Sequence, residues 1–127
     1  MRFVAAGEPY RVGLCHCFDC RKKHGAPFSS FAIFPANRVA FAGDEPGVFA
    51  SSEKGRHYFC RSCGSPVFSR EEGSDEVELF TGAFDEVGLF APTYESWMPR
   101  REPWLPEIPG VVRRYDRDRA GPQRTEP

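Results

Sequence analysis

The sequence predicts a mainly β domain with metal sites at its turns. Glycine and proline, 12 residues each in a chain of 127, are scattered rather than clustered, which favours short strands and turns over long helices. The apolar residues fall in short runs, several of them alternating with polar residues, the period of a strand with one buried face. Five cysteines sit in two tight clusters, Cys15-x-Cys17-x-x-Cys20 and Cys60-x-x-Cys63, at the spacings metal ligands adopt across turns.

In chain order, Arg2–Ala6 and Tyr10–Leu14 are short β-like runs around Gly7-Glu8-Pro9, the pattern of a hairpin. Phe18–His24 is polar and basic and predicts one or two helical turns, stopped by Gly25 and Pro27. Phe28–Phe34 follows as an aromatic-rich strand. Val39–Ala42, Val48–Ser51 and His57–Phe59 read as further strands separated by Gly-Asp, Glu-Pro and Lys-Gly turns. Val67–Ser69 is a short strand directly after the second cysteine pair. Glu76–Thr81 alternates acidic and apolar residues, the mark of a half-buried strand. Between Pro92 and Pro109 the chain is dense in proline and tryptophan, with room for a short helix near Tyr94–Met98. From Arg113 onward almost no apolar residue remains, so 1–112 is the expected domain and 113–127 a polar, mobile tail.

The length is that of one domain, and a hydrophobic fraction of 40% with 12 phenylalanines suffices for a modest core. Seventeen basic against 18 acidic side chains leave a formal net charge of −1, without the basic excess of a nucleic-acid binder. No apolar run approaches the ~20 residues of a membrane span. The first residues, MRFVAAGEPYR, carry no apolar signal core, so the expected location is cytoplasmic, with no membrane partner. In that compartment an odd number of cysteines fits reduced, metal-binding thiols better than disulfides.

A C-x-x-C pair lets two sulfurs face one ion across a turn, and Gly64 after Cys63 suits the reversal the chain makes there. Two buried core cysteines are the alternative for this pair. Three thiols within six residues, Cys15, Cys17 and Cys20, are unusual as core packing. A redox role for either pair lacks the βαβ context such motifs occupy. Three thiolates on zinc leave a fourth position open to water, a thiol or a carbonyl oxygen, the arrangement of a catalytic rather than a closed site. His16 lies between two ligands and should point away from the ion they share. His24 is better placed to complete the shell, though an exposed helix-end histidine is the blander role, and His57 reads as a strand residue. Arg21, Lys22 and Lys23 suit the carboxylates of a small acidic substrate, or form a solvated helix face. Cys60 and Cys63 could also join two of the trio in one closed four-thiolate site.

Three stretches, CHCFDCRKKHGAPFSSFAIFP, FASSEKGRHYFCRSCGSPVF and GAFDEVGLFAPTYESWMPRREPW, resemble the glutathione-dependent formaldehyde-activating enzyme family, which includes centromere protein V. The resemblance runs from about Met1 to Leu105. Its most specific pieces are C-x-C-x-x-C-R-x-x-x-G-x-x-F, Cys15 to Phe28, and F-C-x-x-C-G-S-P, Phe59 to Pro66. It implies a zinc-binding β-tent fold of small antiparallel sheets. It also implies a catalytic-type zinc on Cys15, Cys17 and Cys20, and a structural zinc held by Cys60 and Cys63 with an earlier C-x-C pair. The sequence departs from the pattern in lacking that earlier pair. The expectation is that the reading frame continues upstream of Met1; a stop codon in frame before any G-x-C-x-C-G would contradict it.

The implied activity is that of a zinc-dependent carbon–sulfur lyase or synthase acting on glutathione–aldehyde adducts, like the addition of formaldehyde to glutathione. The implied partner is a small-molecule thiol such as glutathione, with Arg21 as a contact for its carboxylates. Thiols add to formaldehyde readily unaided, so a non-catalytic zinc module or carrier of the same fold is the alternative.

Overall fold

The computed structural model describes residues 1–119. Ten strands and one helix of more than a single turn are β1 (Arg2–Ala5), β2 (Arg11–Cys15), α1 (Phe18–His24), β3 (Ser29–Pro35), β4 (Val39–Ala42), β5 (Gly47–Ala50), β6 (Gly55–Phe59), β7 (Pro66–Glu71), β8 (Glu76–Phe80), β9 (Tyr94–Ser96) and β10 (Arg113–Arg114). Eight strands form one sheet in the order β10-β9-β2-β3-β8-β7-β6-β5, while β1 and β4 pair separately. The long sheet is antiparallel except where β9 lies parallel to both β2 and β10. The mainly β class is therefore as the sequence predicts. Among the described residues no helix is long and apolar enough to cross a membrane.

Three expectations are corrected. Arg2–Ala5 does not form a hairpin with the next strand; it pairs antiparallel with Val39–Ala42. Both edges of β2 are taken, by β3 and β9, and Phe3 instead packs edge-on against Phe84, with ring centroids 5.0 Å apart. Tyr94–Ser96 is a strand rather than the start of a helix. Its register with β2 sets Tyr94 opposite Gly13, and the Tyr94 ring covers that glycine so closely that a Cβ there would come within 2.5 Å of it. Trp97 then turns the chain at φ 58°, in the left-handed region, ahead of a short 3₁₀ turn over Met98–Arg100. Finally, residues 113–119 are anchored. Arg113–Arg114 pair with β9, Tyr115 N–H donates to the Glu95 carbonyl at 2.9 Å, and Trp97 N–H to that of Arg117 at 3.1 Å. Backbone pairing of this kind leaves no trace in composition. Residues 120–127 of the expected tail lie outside the described residues.

Strand alternation divides the long sheet into two faces. Val12, Ala32, Phe34, Val77 and Leu79 point one way, join Val67 and Phe68, and bury the main core against Phe3, Phe84 and Phe90. The opposite face carries Cys15, Phe31, Ile33, Phe80 and Tyr94 and is partly covered by α1. Across it the pairings align one row of side chains: Arg11, Ile33, Glu78, Ser69, His57 and Phe49. This face is where the chemistry gathers.

Candidate metal centre and its cavity

The trio is assembled by one strand-to-helix turn. Cys15 ends β2, Cys17 caps α1, and Cys20 lies in the helix's first turn. Cys17 has extended backbone, and its sulfur accepts a hydrogen bond from the Cys20 N–H at 3.4 Å, the role an N-cap oxygen usually plays. The helix stops at Gly25, whose φ of 58° needs no Cβ. The three sulfurs lie within 4.8 Å of one another, and this is the one group of three or more potential ligands so gathered among the described residues. Cys15 is buried and the other two half-buried.

In the metal-free protein the thiols share hydrogen bonds. Cys17, accepting from Cys15 and then Cys20, is held far below the ordinary thiol range. Cys20 is pushed up by the same contacts with Cys15 and Cys17, and Cys15 is raised chiefly by its bond to Cys17. Three soft sulfur donors without a carboxylate among them suit a zinc-type ion better than magnesium or calcium.

The sulfurs open on a cavity of about 650 Å³, whose walls include Lys23, His57, Glu78 and Tyr94. A second hollow of about 500 Å³, walled by Phe49, Tyr58, Phe59 and Pro66, adjoins it and shares Asp19, Lys23, Ser51 and His57. Within the main cavity Arg11 holds Glu76 through two contacts, at 2.8 and 3.3 Å. Lys23 donates to the Ser69 hydroxyl at 3.3 Å and lies 4.4 Å from the centroid of the Phe80 ring.

The other sequence candidates distribute unevenly. Arg21 does not line the cavity: its guanidinium is committed to Glu102 at 2.6 Å and to the carbonyls of Pro27 and Arg100. The basic residue of α1 that reaches the cavity is Lys23, two positions on. His16 does point away from the trio; fully buried, its Nε2 meets Glu95 Oε1 at 2.9 Å. His57 is a strand residue, as expected, yet its ring lines both hollows. Burial, and then Lys23, lower its pKa. Glu78 was also missed, because an alternating strand reads as polar-face-out; here the polar face looks into a cavity.

His24 is not an exposed helix end. Its ring packs edge-on against Phe80, centroids 4.6 Å apart, and its Nε2 is buried without a partner. Burial, then Lys23 and His57, lower its pKa from 6.5 to about 4. As pH falls, the unfolded chain therefore protonates first. The stability His24 contributes is whole above pH 6.5 and is lost as pH falls toward 4. Discounted for partial exposure, the loss should be about 1–2 kcal/mol. Denaturant unfolding of metal-free protein at both ends of this window checks it: His24→Gln should flatten that part of the profile.

Cys60 and Cys63 do not join the trio. They form a separate turn closed by Gly64 N–H to the Cys60 carbonyl at 2.7 Å, with Gly64 at φ 77°. Cys63 is exposed, and its Sγ donates to the Ser65 hydroxyl at 3.1 Å. Met1, Asp44, Glu45 and Cys60 line one small hollow beside this turn. The shared four-thiolate site is thus not what the chain builds.

Fold and trio together define a mainly β domain with a three-thiol centre at a strand–helix turn. Residues 1–100 match the family model of the glutathione-dependent formaldehyde-activating enzyme, and the chain belongs to that family.

Proposed function

We propose that the chain holds zinc on Cys15, Cys17 and Cys20 and makes or breaks the carbon–sulfur bond of glutathione–aldehyde adducts, as a carbon–sulfur lyase or synthase. The observation that supports this is the convergence of three sulfurs, within 4.8 Å of one another, on one wall of a cavity of about 650 Å³. Zinc bound there would supply an open ligand position and favour the thiolate form of an incoming thiol. Lys23 supplies a cation for a substrate carboxylate, with two ammonium hydrogens beyond the one given to Ser69. The apolar second hollow offers room for whatever the aldehyde carbon carries. Cys60 and Cys63 are assigned to a structural-type site.

Exchange spectroscopy by NMR on glutathione and formaldehyde at equilibrium tests the reading. Zinc-loaded protein should raise the exchange rate above the spontaneous one, and Cys17→Ser should not. Binding of the adduct without faster exchange would overturn catalysis in favour of a carrier.

A further inference from the structure

We propose that Glu78 is a catalytic residue of this cavity, the group that gives a proton to the aldehyde oxygen and takes one from the incoming thiol. The inference rests on the function proposed above and adds to it the acid–base partner that carbon–sulfur bond formation needs.

Glu78 and Glu76 project from the same face of β8 into the cavity, but their surroundings differ. Glu76 is neutralised by Arg11. Among the described residues Glu78 has no arginine partner of that kind. It stands directly across the strand pair from Ser69. Ser69 is itself buried and accepts from Lys23 Nζ at 3.3 Å. The Lys23 ammonium and the Ser69 hydroxyl are therefore hydrogen-bonded to each other directly opposite Glu78. The titratable groups facing Glu78 are Lys23 from α1, Cys17 from the turn, Arg11 from β2 and Tyr94 from β9, while β3 presents Ile33.

A carboxyl drawn out of water resists ionisation. Burial raises Glu78, and Lys23 and then Arg11 oppose it. Such a group holds its proton to higher pH than a free carboxyl does, and an ammonium and a hydroxyl lie opposite it to steady the carboxylate once the proton leaves. These are the properties of a general acid that must also work in reverse.

The step balances without a further reactant. The thiolate sulfur donates an electron pair to the aldehyde carbon, forming the C–S bond. The C=O π pair moves to oxygen, which takes the proton of Glu78 and becomes the hydroxyl of the adduct. The Glu78 carboxylate then takes the proton of the next thiol, so thiol plus aldehyde gives adduct and the acid is restored. Cleavage runs the same path backwards.

Two measurements on zinc-loaded protein decide this. Infrared difference spectra between wild type and Glu78→Gln at neutral pH should show the carbonyl stretch of a protonated carboxyl in the wild type; its absence overturns the inference whatever the kinetics. Equilibrium exchange should be about 100-fold slower in Glu78→Gln than in wild type at saturating glutathione, with KM and zinc content unchanged. The wild type should lose rate as pH rises and Glu78 ionises, and Glu78→Gln should show no such limb. Acceleration that survives in Glu78→Gln overturns the inference alone; no acceleration by the wild type overturns the proposed function as well.

Discussion

Replacing Cys17 with serine should weaken zinc binding more than about 100-fold, beyond what loss of an outer-shell partner costs, while leaving the metal-free fold nearly as stable as the wild type. The two halves of this expectation have separate causes. A serine hydroxyl does not ionise near neutrality, so the site loses one of three anionic donors. As an N-cap, however, serine is among the preferred residues, and its oxygen can accept the Cys20 N–H that Cys17 Sγ now accepts. The cost to folding should stay within about 1 kcal/mol. Cys17→Ala removes ligand and cap together and should add about 1 kcal/mol of destabilisation. Zinc titration against a competing chelator reads the first effect, and thermal melts of chelated protein the second. Cys60→Ser should spare the high-affinity site, because Cys60 lies in a different turn. The pH dependence has a definite sign. Cys15 and Cys20 are raised and hold protons that zinc must displace, so binding releases protons and weakens as pH falls. Calorimetry in buffers of different ionisation heat measures the release.

What the sequence reveals about this site follows the range of the interaction. The trio and the helix after it are legible because every residue that makes them lies between Cys15 and Gly25. The bounds Phe18–His24 follow from a basic run ended by glycine, and the structure has the same bounds. Strand interiors are legible from alternation, since period two marks two faces. Pairing is not, because it is decided by distant partners. Arg2–Leu14 reads as a hairpin until Val39–Ala42 competes for β1 and Tyr94–Ser96 for β2. The cavity is a consequence of that pairing. Glu78, Ser69 and His57 share a face only because β8, β7 and β6 are adjacent in one register. Arg21 and Lys23 are equally basic on paper. Which of them faces the cavity depends on α1's orientation over the sheet and on Glu102, 81 positions away, claiming Arg21.

Glu95→Ala should destabilise the fold by about 3–5 kcal/mol, the cost of breaking a buried ion pair by removing one partner. Glu95 is fully buried at the middle of β9. Its Oε1 receives His16 Nε2 at 2.9 Å and Arg101 Nε at 2.9 Å, and Arg114 Nε lies 3.6 Å from Oε2. Burial alone would raise its pKa, but hydrogen bonds from Arg101 and then His16 outweigh this and hold it below the usual carboxylate range. The carboxylate thus ties three segments together: the turn between Cys15 and Cys17, the stretch after the 3₁₀ turn, and β10. Alanine would leave His16 Nε2 and Arg101 Nε without their acceptor, while the other Arg101 nitrogens keep the Leu105 and Pro106 carbonyls. Glu95→Gln keeps an oxygen of the same reach and loses the charge, so it should cost less, about 1–3 kcal/mol. The loss should reach the metal centre as well. His16 sits between two of the three ligands, and its backbone N–H donates to the Ser96 carbonyl at 3.1 Å. A loosened His16 lets the Cys15–Cys17 spacing wander, which should weaken zinc binding about 10–100-fold, as for other residues that orient ligands. Thermal unfolding with and without zinc separates the contributions. If Glu95 acts only on the fold, zinc-loaded and zinc-free proteins should lose equal stability. If it also holds the trio in place, the zinc-loaded protein should lose more, by the free energy equivalent to its weakened affinity.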